Sequence, residues 1–313
     1  MLVRTPQSRA HPNEEGAAVG PQMGPAARPQ RGWALSHATP TVRVAILAVW
    51  GVYFVLPVYW LIIASTKSTG AVYSSQPLWL YHPQLWANLK GVFTYSGGLF
   101  PRWALNSLIY SVGGATVSTL LAGMAGYFLA MFKFRGREAI FLTIIAGMLI
   151  PSTALALPLF LIFARVNLTS TYWAVFLPSI VSPFSLYLCR LAAEASIPPE
   201  IPESARICGA SELRIFFTIG WRMMLPGLVT SFLTQFVSIW NNFLLPLVML
   251  QKQALYPLTL GLFIWSGSAA AAPYLEQLVV IGCVVSIVPL VIAFLCLQRF
   301  WKTGLGSGGL RVR

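Results

Sequence analysis

The sequence predicts an all-α polytopic membrane protein with six transmembrane helices and a short helical element in the loop between the fourth and fifth. Three observations lead there. Hydrophobic residues make up 57% of the chain, charged residues only 9%, and the mean hydropathy is +0.70, outside the range of soluble domains. Six apolar blocks have the length of a bilayer crossing: 44–66, 107–132, 139–164, 171–192, 224–250 and 278–299. The basic residues also alternate in density from loop to loop as membrane topology requires.

An even number of spans puts both termini on one side, and the charge distribution orients them. With the N-terminus in the cytoplasm, 16 of the 21 Lys and Arg residues lie inside. The outside keeps Lys67, Lys90, Arg102, Arg165 and Lys252. The net charge of +13 is therefore topological, and nucleic acid is excluded as a partner. Residues 1–43, rich in Pro, Gly, Ala and Arg, read as a disordered cytoplasmic tail, and 307–313 as a second one. The membrane domain is 44–306. Its first block is too long for a cleavable signal and is expected to remain as an anchor.

The outer loop, 67–104, carries Tyr73, Trp79, Tyr81, Trp86, Tyr95 and Trp103. These fit an interface belt and loop packing, with sugar stacking as the alternative. The four cysteines show no metal-like or redox spacing. In the spans, Asp, Glu, Lys, Arg and His are missing apart from terminal residues such as Arg43 and Arg190, so no proton relay is visible. None of the five Lys follows a Gly, which leaves no phosphate-cradling loop. All three His lie in the tail or outer loop, so no catalytic residue, cofactor site or metal site is expected. Energy for uphill transport would have to come from a partner.

Prolines 151, 158, 178, 183, 246 and 289 interrupt the apolar blocks, where each frees a backbone carbonyl. The run Ala122-Gly123-Met124-Ala125-Gly126 suits close helix packing. Asn241 and Asn242 are amides inside the fifth block and must face protein or water. They serve either an interhelical hydrogen bond or a substrate pathway.

The most polar stretch of the second half is PPEIPESARICGASELRIFF, 198–217, within the loop 193–223. Pro202 and Glu203 suit a helix start, which predicts a helix over 202–208 ended by Gly209. Ser211 is placed to cap a second helix from Glu212, with Leu213, Phe216, Phe217 and Gly220 near one face. This element is either an amphipathic surface helix or a docking knob for a soluble partner.

Glu203-Ser204-Ala205-Arg206-Ile207-Cys208-Gly209-Ala210 resembles the EAA loop of bacterial ABC importer permeases, and more narrowly the E-A-A-x-x-D-G-A form of the maltose-type carbohydrate branch. Further landmarks are Asn106-Ser107-Leu108, Phe132 to Gly136, Leu168 to Trp173, Ile197 to Glu200, and Trp240 to Phe243 with Pro246. The resemblance covers roughly residues 44–306. The sequence departs from the pattern at Ser204, at Cys208 in place of Asp, and at Trp221-Arg222 in place of Leu-Pro. The resemblance implies a permease of the bacterial cell membrane working with ABC ATPase subunits, a second homologous permease and an extracytoplasmic solute-binding protein. It implies ATPase coupling through Glu203, Ala205 and Gly209, and makes Asn241 and Asn242 candidates for a sugar pathway. A stand-alone facilitator or secondary carrier, and a scaffold without a pathway, are the competing readings.

Overall fold

The computed structural model describes residues 40–307, and every regular element among them is helical. The expected tails lie largely outside these residues. The chain divides within its first helix, α1 (Pro40–Thr66), after Phe54. In the first unit Trp50 stacks on Phe54 one helical turn away, the rings 5.9 Å apart, and Tyr53 meets both edge-on. Every element after α1 belongs to the second unit, which begins at Val55.

The stretch after α1 leads through α2 (Leu85–Thr94) to α3 (Leu99–Leu108), a π-turn at Ile109–Gly113 and α4 (Gly114–Met131). Then come α5 (Arg137–Ala146), α6 (Ser152–Arg165), α7 (Tyr172–Ser179) and α8 (Pro183–Ser196). The short α9 (Glu200–Ile207) and α10 (Glu212–Ile215) precede a second π-turn, Phe216–Gly220, and α11 (Leu225–Trp240). The chain ends with α12 (Leu244–Met249), α13 (Leu258–Ser268) and α14 (Tyr274–Ser307).

Among the described residues, four stretches are long and apolar enough to cross a membrane as they stand: 41–66, 99–131, 172–196 and 274–300. The third and fifth apolar blocks are not single rods. Between α5 and α6 the chain bends by 99° at Ile150-Pro151, because Pro151 cannot continue the helix and the residue before it is driven to extended geometry. The 224–250 block stops being helical at Trp240 and resumes at Leu244, while α11 turns by 83° from the helical segment before it. Counting each bent pair as one crossing gives up to six.

Three apolar clusters hold these elements. Phe100, Trp103, Phe236, Trp240 and Trp265 join α3, α11 and α13. Tyr127, Cys189, Phe216, Met224 and Leu228 join α4, α8 and the entry to α11. Tyr110, Phe163, Val175, Ile239 and Met249 form the third. The glycine-rich run of α4 packs as its composition implies: a Cβ on Gly126 would lie 2.6 Å from the backbone N of Arg190, so α4 and α8 meet backbone to backbone. Meanwhile Leu142, Leu157, Ile162 and Leu295 are exposed, which only a lipid environment makes favourable in such number.

The landmark Asn106-Ser107 has a structural reason. Asn106, 1% exposed, donates to the carbonyls of Ala254 and Tyr256 at 2.9 and 3.0 Å and accepts from the Tyr172 hydroxyl at 2.8 Å. Trp103 Nε1 donates to Gln253 O, Tyr110 to Leu255 O, and Leu258 N to Ser107 Oγ. The segment 250–257, with one 3-10 turn at Gln253–Leu255, is thus pinned by side chains from α3 and the π-turn, while Tyr172 of α7 holds Asn106 in place. The outer-loop aromatics divide accordingly: Trp103 is core, whereas Trp79, Tyr81 and Trp86 are exposed.

Candidate functional site

Two features bring the singled-out residues together. The first is the polar loop. Its helix α9 begins two residues earlier than expected, at Glu200, with Glu200 and Glu203 at its positive end. The closure at Gly209 is a Schellman motif: Gly209 N donates to Arg206 O at 2.9 Å and Ala210 N to Ala205 O at 3.1 Å, with Gly209 at φ +80°. Only a residue without a Cβ adopts that conformation freely. Arg206 reaches across the turn to Glu212, with Nε 2.6 Å from the carboxylate, and lies 5.1 Å from the Phe132 ring at the end of α4. The Glu212 hydrogen bond holds the Arg206 guanidinium above its usual pKa.

Two expectations about this loop need correction. Ser211 precedes Glu212 in extended geometry, but its side chain makes no capping bond. The apolar residues also do not share one face: Phe216 and Gly220 are buried with Ile215, whereas Leu213 and Phe217 are exposed. The π-turn at 216–220 adds a residue to the helical repeat and rotates the faces out of a simple 3.6 register. Ile207, which no sequence signal singles out, is 88% exposed at the tip beside Cys208. Glu203 and Arg206 line a hollow of about 470 Å³ with Met131, Lys133, Glu194 and Pro202.

The second feature is a cavity of about 570 Å³, within the common range for ligand sites of about 300–1,000 Å³. Three helix interruptions converge on it: 147–152 between α5 and α6, 178–184 between α7 and α8, and 241–245 between α11 and α12. Asn241 and Asn242 both line it. Each spends half its amide on its own backbone. Asn241 Nδ2 donates to Val237 O at 3.0 Å, and Asn242 Oδ1 accepts from Leu245 N at 3.4 Å, capping α12. The other halves, Asn241 Oδ1 and Asn242 Nδ2, have no hydrogen-bond partner among the described residues.

Gln235 also lines the cavity, a placement the sequence does not announce. Its Nε2 donates to Ser179 O at 2.8 Å. That carbonyl would meet the N–H of residue 183 in a continuous helix, and Pro183 has none. The sequence carries the signal as an amide six residues before Asn241 and a proline four after Ser179, but only contact across helices pairs them.

The two features share helices without sharing residues. α8 starts at the cavity and runs to α9; α11 follows the loop and ends at Asn241. At 1.5 Å per residue, 14 and 16 residues make levers of about 21 and 24 Å. The loop is thus carried between two helices whose far ends are interrupted at the cavity. Residues 104–304 match the family described as binding-protein-dependent transport system inner membrane component.

The chain belongs to that family.

Its relatives agree. An arabinooligosaccharides transport system permease protein, AraQ, of Halalkalibacterium halodurans is 34% identical over 82% of this chain and 91% of its own length. A diacetylchitobiose uptake system permease protein, NgcG, of Streptomyces coelicolor is 30% identical over 89% of each chain. A solved structure of a bacterial ABC transporter involved in the import of the acidic polysaccharide alginate superposes with a TM-score of 0.73, at 23% identity, covering 83% of this chain and 95% of the other. The family member described here is thus a multi-pass membrane permease of the bacterial inner membrane, part of a binding-protein-dependent transport system.

Proposed function

We propose that this permease forms, with a second homologous permease, the pathway of an ATP-driven importer for a sugar or oligosaccharide delivered by an external binding protein. The observation that carries the proposal is that both helices flanking the 197–223 loop end on the neutral polar cavity. In this reading the membrane domain, 44–306, crosses the bilayer six times with both termini in the cytoplasm, so the loop faces separate ATPase subunits. Closure of the ATPases on nucleotide moves α9, and α8 and α11 convert that movement into a changed opening at the cavity.

Glu203 supplies charge at the docking surface, half-buried Ala205 a close approach, and Gly209 the turn that presents the exposed Ile207. Asn241 and Asn242 offer hydrogen bonds to the solute. The sugar class follows the substrates for which the relatives are named, which include arabinooligosaccharides, lactose and diacetylchitobiose.

The test is affinity purification of the chain from its native membranes in mild detergent, with mass spectrometry and an ATPase assay, beside a Glu203→Lys, Gly209→Pro double variant. Co-purification of an ATPase and a second permease, with the ATPase lost from the variant, is the expected result. A chain that arrives alone and transports alone would make it a facilitator.

A further inference from the structure

The cavity at the three helix breaks has an unusual composition for a lining built partly of exposed backbone. Of the side chains that line it, among the described residues, none is Asp, Glu, Lys, Arg or His. Its polar groups are all neutral: serines 152, 179, 182 and 238, and the amides of Gln235, Asn241 and Asn242. The groups left for a ligand are mixed in sign. Asn241 Oδ1 and Gln235 Oε1 accept, while Asn242 Nδ2 donates, because the opposite ends of these amides are committed to Val237 O, Ser179 O and Leu245 N. The Ser182 hydroxyl accepts from Ser185 N at 3.2 Å, which leaves its own O–H to donate. Phe184 and Phe243 supply the apolar part of the wall.

From this lining we infer that the cavity is a charge-rejecting filter: it takes uncharged polyhydroxyl ligand segments and excludes anionic sugars such as uronates and sugar phosphates. The inference rests on the pathway reading above and adds a selectivity to it. A sugar hydroxyl both donates and accepts, so it pairs with an amide oxygen and an amide N–H alike. A carboxylate only accepts. In this half-open cavity it would give up part of its hydration, meet no countercharge, and face two acceptor oxygens; a partly desolvated ion without a partner is disfavoured. Gln235 is fixed in this role, since turning its amide over would leave Ser179 O without a donor.

The experiment measures uptake by cells expressing the complete importer, using a panel of labelled neutral oligosaccharides beside oligogalacturonides of the same length. With the neutral sugar that is carried best, Asn242→Asp and Gln235→Glu are then compared with the unsubstituted chain, with the amount of assembled complex measured alongside. Uptake of neutral members only, and a fall of at least about tenfold in the two carboxylate variants at unchanged assembly, is expected; that factor corresponds to ~1.4 kcal/mol.

Uptake of an oligogalacturonide as fast as its neutral counterpart overturns the filter, and so does full uptake by both carboxylate variants. Should a variant fail to assemble, the panel still decides. A separate arm isolates the pathway reading: Ser238→Cys, treated with a small neutral thiol reagent, loses uptake beyond any loss in the treated unsubstituted chain. If that arm shows no loss, the cavity is not on the path and both readings fall; if it shows loss while charged sugars pass, only the filter falls.

Discussion

Replacing Gly209 perturbs the loop at a point where the structure isolates one physical effect. A Cβ added there meets nothing within 4 Å, so substitution introduces no clash, and φ +80° makes the effect conformational. Holding an L-residue in the left-handed region costs about 1–2 kcal/mol. Restricting the alternative conformations of the loop by Gly→Ala disfavours the open conformers and offsets about 0.4–1 kcal/mol of that cost. The net cost, about 0–1.6 kcal/mol, lowers the population of the Schellman closure by up to roughly 15-fold relative to open loop conformers.

Asn tolerates the left-handed region and carries a smaller penalty. Proline, locked near φ −65°, cannot take the conformation at all and also removes the N–H bonded to Arg206 O at 2.9 Å. Coupled uptake, measured as solute moved per ATP hydrolysed in reconstituted importer, is therefore expected to rank Gly209 ≥ Asn > Ala > Pro, with membrane insertion intact throughout. Normal coupling in Gly209→Pro, or an Asn variant as damaged as the Pro variant, would refute the assignment of the turn.

Three other outcomes follow from the packing. Asn106→Leu orphans the carbonyls of Ala254 and Tyr256 and the Tyr172 hydroxyl at a site 1% exposed; at about 1–3 kcal/mol for an unmet buried group, the thermal unfolding of the detergent-solubilised complex drops by several degrees, and an unchanged midpoint would show that 250–257 is held otherwise. Gly126→Val forces α4 from the backbone of Cys189 and Arg190 and abolishes recovery of folded protein, whereas Gly51→Ala, with nothing within 4 Å, is recovered normally; equal yields would contradict the helix contact. Glu212→Gln weakens the Arg206 bridge across the turn, lowering uptake per ATP while thermal stability moves by less than about 1 kcal/mol, as suits a half-exposed pair; a large stability loss with unaltered stoichiometry would make the bridge merely structural.

Much of the site can be read along the chain because its signals are local. Pro202, Glu203 and Gly209 act within one or two helical turns, so residue order alone reveals the short helix and its glycine closure. Asn241 and Asn242 stand out because an amide amid leucine, isoleucine and phenylalanine is costly wherever it points. Gln235 is an equally costly amide, but its role is not legible along the chain, since it depends on Ser179, 56 positions away, and on the N–H that Pro183 lacks. Ile207 is equally silent, since an isoleucine in a helix is normally a packing residue, and its 88% exposure is set by how α9 sits on α4 and α8.

By itself the sequence determined the membrane character, the apolar blocks and the family, all of which follow from composition, charge bias and short ordered motifs. Tertiary structure decided where those blocks break: the 99° bend at Pro151, the halt at Asn241, and the convergence of three interruptions on one cavity. A proline frees a carbonyl at a known position in sequence, but which neighbour satisfies that carbonyl, and whether the helix bends or stops there, is settled by side chains arriving from other helices.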